Sequence, residues 1–134
     1  MKRRSYLKTM LGAAAGLSGA GAQEPAKQAE RPIVLHVDLS VDPANEPEML
    51  RNFHTIFKPA AQTFQGYVDV KMCKLRSALQ GAPPSGVNYR FQLVYQSEEL
   101  RQKWVASETH QKVWPSIEKT LASKDYVVLL FDSV

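Results

Sequence analysis

The sequence predicts an α+β domain in which two helical regions cover one face of a four-stranded antiparallel sheet. Three observations predict it. Apolar residues alternate with polar ones over three short stretches, and a fourth short stretch is apolar throughout, both signatures of strands. Apolar residues recur at helical spacing over two longer stretches. The stretches follow one another as β-α-β-β-α-β, the ferredoxin-like split βαβ order.

The first strand runs from Ile33 to Val41. Ile33, Leu35, Val37, Leu39 and Val41 point one way; Val34, His36, Asp38 and Ser40 point the other. Asp42-Pro43 ends it. The first helix is expected over Asn45–Gln65, with Asn45 as cap and Glu46 and Glu48 favouring its positive end. Met49, Leu50, Phe53, Ile56, Phe57, Ala60, Ala61 and Phe64 form its apolar stripe. Pro59 removes a backbone donor and should kink it, and Gly66 stops it. A second strand follows over Tyr67–Leu75, with Val68, Val70 and Met72 on one face and Asp69, Lys71 and Cys73 on the other. Gly81-Ala82-Pro83-Pro84-Ser85-Gly86 is a loop by composition. The third strand, Tyr89–Tyr95, places Tyr89, Phe91, Leu93 and Tyr95 toward the helices and Arg90 and Gln92 away from them. Ser97 caps a second helical region reaching Leu121. A break is expected at Ser107 and a bend at Pro115. The fourth strand, Tyr126–Phe131, is apolar throughout.

Before this domain, residues 1–22 have the layout of an export signal. Arg3-Arg4 and Tyr6-Leu7-Lys8 precede a short Leu/Met/Gly/Ala run ending at Ala20-Gly21-Ala22, a small-x-small cleavage pattern. The arginine pair resembles the twin-arginine address. The run is too short and Gly-rich for a membrane span. Residues 23–31 read as a flexible tether and 32–134 as the folded domain. A periplasmic or secreted location is expected.

The leader also dominates the charge. The whole chain holds 17 Lys+Arg against 13 Asp+Glu; Lys2, Arg3, Arg4 and Lys8 lie in the leader, which has no acid, so the remainder carries 13 of each. A balanced domain offers no footprint for nucleic acid and no polybasic membrane patch. The single cysteine, Cys73, rules out an internal disulfide; it reads as a small buried hydrophobe or an intersubunit thiol. The sequence has no CxxC, HExxH, Gly-rich phosphate loop or GxSxG pattern, so neither a metal nor a cofactor is expected.

The stretch from Phe91 to Leu100, continuing through Trp104, Ser107, His110 and Trp114, resembles the dimeric α/β-barrel superfamily, especially the antibiotic-biosynthesis-monooxygenase group. Phe57-Lys58-Pro59-Ala60-Ala61 running to Gly66 is similar to that group's first helix and turn. The resemblance implies a homodimer whose sheets close into a barrel, with a pocket beside each sheet. It also implies cofactor-free oxidation of quinol-like or phenolic aromatics. The haem-degrading branch of that superfamily places an Asn on the first strand, a Trp in the second helical region and a His further along. Trp104 matches the Trp, but Trp114 stands where the His would fall, and the first strand offers His36 or Asp38.

Six residues are therefore candidates for a site. His36 and Asp38 share the mixed face of the first strand, where a His beside a carboxylate could act as a base on a phenolic proton. The same residues would serve as a polar pair in a dimer interface. Arg90 could hold an anionic oxygen with Gln92 beside it, or form an interfacial ion pair. Trp104 and His110 could line an aromatic pocket or belong to the core. The leading expectation is an exported homodimer that binds, and oxidises with oxygen, a small aromatic molecule. The alternative is a non-catalytic binding or structural dimer of the same fold.

Overall fold

The computed structural model describes residues 31–134. The expected leader, and all of the expected tether except Arg31, lie outside the described residues. The described elements are β1 (Ile33–Leu39), α1 (Glu46–Asn52), α2 (Lys58–Gln62), β2 (Tyr67–Lys74), β3 (Tyr89–Tyr95), α3 (Glu98–Ala106), α4 (Glu108–Val113), α5 (Pro115–Glu118) and β4 (Val127–Asp132). All strand pairs are antiparallel, in the order β2-β3-β1-β4.

The alternation read from the sequence sets the two sheet faces. Ile33, Leu35, Val37, Leu39, Tyr89, Phe91, Leu93 and Tyr95 are buried beneath the helices, with Val70 joining them from β2. From the helices, Met49, Phe53, Phe57, Trp104 and Ile117 complete the core. Burying each such side chain contributes about 1.5–3 kcal/mol. The opposite face carries Val34, His36, Asp38, Arg90, Gln92 and Val94.

Four local expectations are corrected. Asn45 makes no capping hydrogen bond; Asp42 caps instead, accepting the Ala44 N–H at 2.9 Å and starting a 3₁₀ turn over Pro43–Asn45. Pro59 does not kink the end of a plain α-helix. The turn before it widens into a π turn, Phe53–Phe57, closed by Lys58 N–H donating to Phe53 five residues back. Across this turn Phe53 and Phe57 both face the sheet, with their rings stacked at 6.3 Å, and Ile56 is exposed. In β2 a register shift between Tyr67 and Asp69 puts Tyr67 opposite Tyr95 and turns Val68 to solvent; a bulge inserts one residue and reverses the faces before it. Cys73 is exposed rather than buried, because it lies opposite Arg90 on the face without helices.

The break at Ser107 occurs where expected. Ser107 has extended backbone angles, and its hydroxyl accepts the His110 N–H at 3.1 Å, so α4 starts afresh from its own cap. Pro115 opens α5, where a missing donor costs nothing. β4 is apolar but sits at a sheet edge, exposed along its whole length.

Candidate functional site

The structure distributes the six expected site residues over two places on opposite sides of the sheet. His36, Asp38, Arg90 and Gln92 lie on the helix-free face. Trp104 and His110 lie on the helical side.

On the helix-free face, register decides the partners. His36 stands opposite Gln92 and Asp38 opposite Arg90. His36 Nε2 is 3.0 Å from Gln92 Oε1, and its ring leans on Phe131 at 5.1 Å. Asp38, only 6% exposed, accepts from Arg90 Nε at 2.7 Å and Nη2 at 3.1 Å. The two-point contact holds the Arg90 guanidinium above its ordinary pKa, the hydrogen bonds to Asp38 outweighing partial burial. The expected coupling of His36 to Asp38 is thus replaced by two cross-strand pairs. Side chains two apart on a strand share a face but sit nearly 7 Å apart along it, whereas directly opposed residues are closer.

On the helical side, a cleft of about 190 Å³ opens between the sheet and α3–α5. Leu35, Val37, Phe91 and Leu93 form its floor. Phe57, Trp104 and Trp114 form its walls, and Tyr126 and Val128 stand at the β4 end. Phe57 is the last residue of the π turn, and widened turns of that kind recur at functional sites. His110 is half-buried among these rings, edge-on to Trp104 at 5.1 Å and stacked with Trp114 at 6.3 Å. Burial pushes its imidazole below the usual range, and the nearby Arg101 charge adds to that. Arg101 is itself held by Glu98 through contacts of 2.7 and 2.6 Å. His110 is therefore neutral at neutral pH and presents one donor and one acceptor nitrogen to the cleft. Trp104 is fully buried, and its Nε1–H has no acceptor among the described residues. Trp114 Nε1 donates to Tyr126 Oη at 3.2 Å, and Tyr126 donates on to Glu118 at 2.9 Å. That chain fixes the ring of Trp114 against the cleft.

Sequence reasoning named Trp104 and His110 but missed Phe57, Arg101 and Tyr126 as their neighbours. Helical spacing makes Phe57 look like plain core, and nothing in the order of residues brings Tyr126 across to Trp114. Among the described residues no group of His, Cys, Asp or Glu could hold a metal ion, and no helix is long and apolar enough to cross a membrane.

No family model matches the sequence, and no curated protein matches it. Solved structures do share its architecture. A Caulobacter crescentus protein provisionally assigned as an antibiotic biosynthesis monooxygenase superposes with a TM-score of 0.62 at 19% identity, covering 79% of this chain and 92% of that one. The chain has the ferredoxin-like α+β fold. A dimeric ferredoxin-like protein of unknown function from Jannaschia sp. gives 0.61 at 14% identity, covering 77% and 98%. The hydroxynitrile lyase of Passiflora edulis gives 0.64 at 8% identity, covering 78% and 95%. Proteins with different chemistry thus share this architecture, so a function must be argued from the site itself.

Proposed function

We propose that the chain binds a small phenolic aromatic in the cleft between the sheet and α3–α5 and oxidises it with molecular oxygen. The observation that carries this reading is the pairing of a neutral, half-buried His110 with a wall of aromatic rings. Apolar walls with a few convergent polar groups are the usual make-up of a small-molecule site. A planar ring in the cleft would lie against the aromatic wall formed by Phe57, Trp104 and Trp114. The imidazole nitrogens of His110, which make no side-chain hydrogen bond among the described residues, can accept a phenolic proton. The phenolate so formed is electron-rich. When a phenol becomes a quinone it supplies all four electrons for one O₂, with one oxygen atom becoming the new carbonyl and the other leaving as water.

Two further elements complete the reading. The helix-free face would be covered by a second copy. Val34, Val94, Leu129 and Phe131 make it apolar, Leu129 and Phe131 are 41% and 46% exposed, and a surface of this kind favours association. The Jannaschia protein of like fold is dimeric, which supports the same arrangement. Export would follow from the twin-arginine pattern of residues 1–22.

The test is oxygen uptake by the protein with a panel of quinols and catechols. Uptake should disappear in His110→Ala and persist in His54→Ala, since His54 is exposed on the first helical region. Binding without uptake in the unaltered protein would leave the passive binder as the correct reading.

A further inference from the structure

We propose that the loop between β2 and β3 builds a second binding site, for a small carboxylate carried on an apolar body. The proposal is independent of the aromatic cleft, because it uses other residues on the other side of the sheet; since Asp38 and Arg90 belong to the helix-free face, the proposed second copy would cover the Val34, Val94, Leu129 and Phe131 end of that face and leave the loop end open.

The loop is longer than its connection requires. β2 and β3 are antiparallel neighbours paired to their ends, with Lys74 opposite Tyr89. Two to five residues commonly join such strands. Here residues 75–88 do so, without helix or strand, and ordered connections of that length are commonly binding loops. The two ends of the loop are tied down. The Asn88 side chain accepts the Val41 N–H and donates to the Val41 carbonyl, both at 2.8 Å. Asn88 N–H donates to Leu39 at 3.0 Å, and Leu75 N–H to Asn88 at 2.9 Å. Gly86 supplies the positive φ of 79° that returns the chain beside Ser40.

Between this loop and the sheet lies a cavity of about 410 Å³, within the range of small-ligand sites. Leu75, Ala78, Pro83 and Pro84 give it an apolar wall. Its charged lining is Asp38, Lys74, Arg76 and Arg90. Glu46 answers Lys74 at 2.7 Å and Asp38 answers Arg90. Arg76 has no carboxylate partner among the described residues, so the lining carries one uncompensated positive charge. Asp38 engages Arg90 through Nε and Nη2, which leaves the Nη1 hydrogens free and the guanidinium fixed. An apolar wall beside one unanswered cation and one pre-oriented donor suits an organic carboxylate.

The experiment titrates the ¹⁵N-labelled protein with 4-phenylbutyrate and, separately, with its neutral counterpart 4-phenylbutan-1-ol. The acid should shift amides of residues 75–90 and bind at least about tenfold more tightly than the alcohol, as a hydrogen bond to a charged group implies. Added salt should weaken it. Arg76→Gln, at an exposed position that leaves the fold intact, should lose about tenfold. Val87→Asp, which puts a negative charge in the lining, should abolish the acid's shifts in the loop. The proposal is overturned if acid and alcohol bind equally, if Arg76→Gln changes nothing, if the shifts fall only on α3–α5, or if no amide moves at millimolar acid.

Discussion

His110 makes the most specific statement at the scale of one residue. Burial among Phe57, Trp104 and Trp114 and the Arg101 charge lower its pKa, so the unfolded chain binds the proton more readily than the folded one. Stability conferred by the neutral ring is therefore fully present above the unfolded value of about 6.5 and is lost as pH falls through the lower folded value. Urea unfolding from pH 8 to pH 5 should show stability declining in that window, and His110→Gln should flatten the decline. An unaltered slope in the variant would mean that another group causes it. The neighbouring arithmetic of Asp38 and Arg90 was only half legible in the sequence. Alternation placed His36, Asp38, Arg90 and Gln92 on one face, but cross-strand register is set by tertiary pairing. Register sent the carboxylate to Arg90 rather than to His36. The buried reading of Cys73 failed for a related reason: its residue type favours burial, while its strand position opposite Arg90 exposes it.

At the scale of elements, caps and turns explain why the aromatic cleft is shaped as it is. Ser97 starts α3 and Ser107 starts α4, each through a hydroxyl accepting a backbone N–H three residues on, and the second of these sets where His110 stands. Gly66 fixes the turn that leads the first helical region into β2. Its φ is 95°, and a Cβ there would come within 2.8 Å of Leu100 Cβ and Cδ1 on α3. Gly66→Ala should cost about 2–3 kcal/mol through left-handed strain and a clash with a packed helix. Gly81→Ala has similar backbone strain, φ 74°, but open space around it, and should cost only about 1 kcal/mol. Thermal or urea unfolding of the two variants checks the difference; equal losses would remove the Leu100 contact from the account. The strand spans, the Ser107 break and Gly66 were readable because each follows from local chemistry. The π turn was not, because Phe53 and Phe57, four residues apart, share a face in a plain α-helix as well, so their spacing carries no trace of the extra residue.

At the scale of the whole molecule, the β-α-β-β-α-β order was enough to give the sheet, its helical cover and its bare face. Order is encoded in successive patterns of period two and period 3.6, each visible in a single chain. What lies on the bare face is not encoded that way. The edge strand β4 exposes Leu129 and Phe131 beside His36 and Val34, and the proposed second copy would bury them. Sedimentation at micromolar concentration should give twice the chain mass. Phe131→Glu should give the single-chain mass with an unchanged far-ultraviolet spectrum, because the position is already 46% exposed in one chain. A single-chain mass for the unaltered protein would remove the dimer from the account while leaving the cleft in place.

The central claim is that the ligand enters on the helical side of the sheet and meets His110. The direct measurement is the NMR response of the three imidazole rings, those of His36, His54 and His110, as a catechol is titrated in under nitrogen. The account predicts that His110 shifts and its titration midpoint changes, while His36, on the opposite face, and His54, in solvent, do not respond. A response at His36 with His110 unmoved would contradict it.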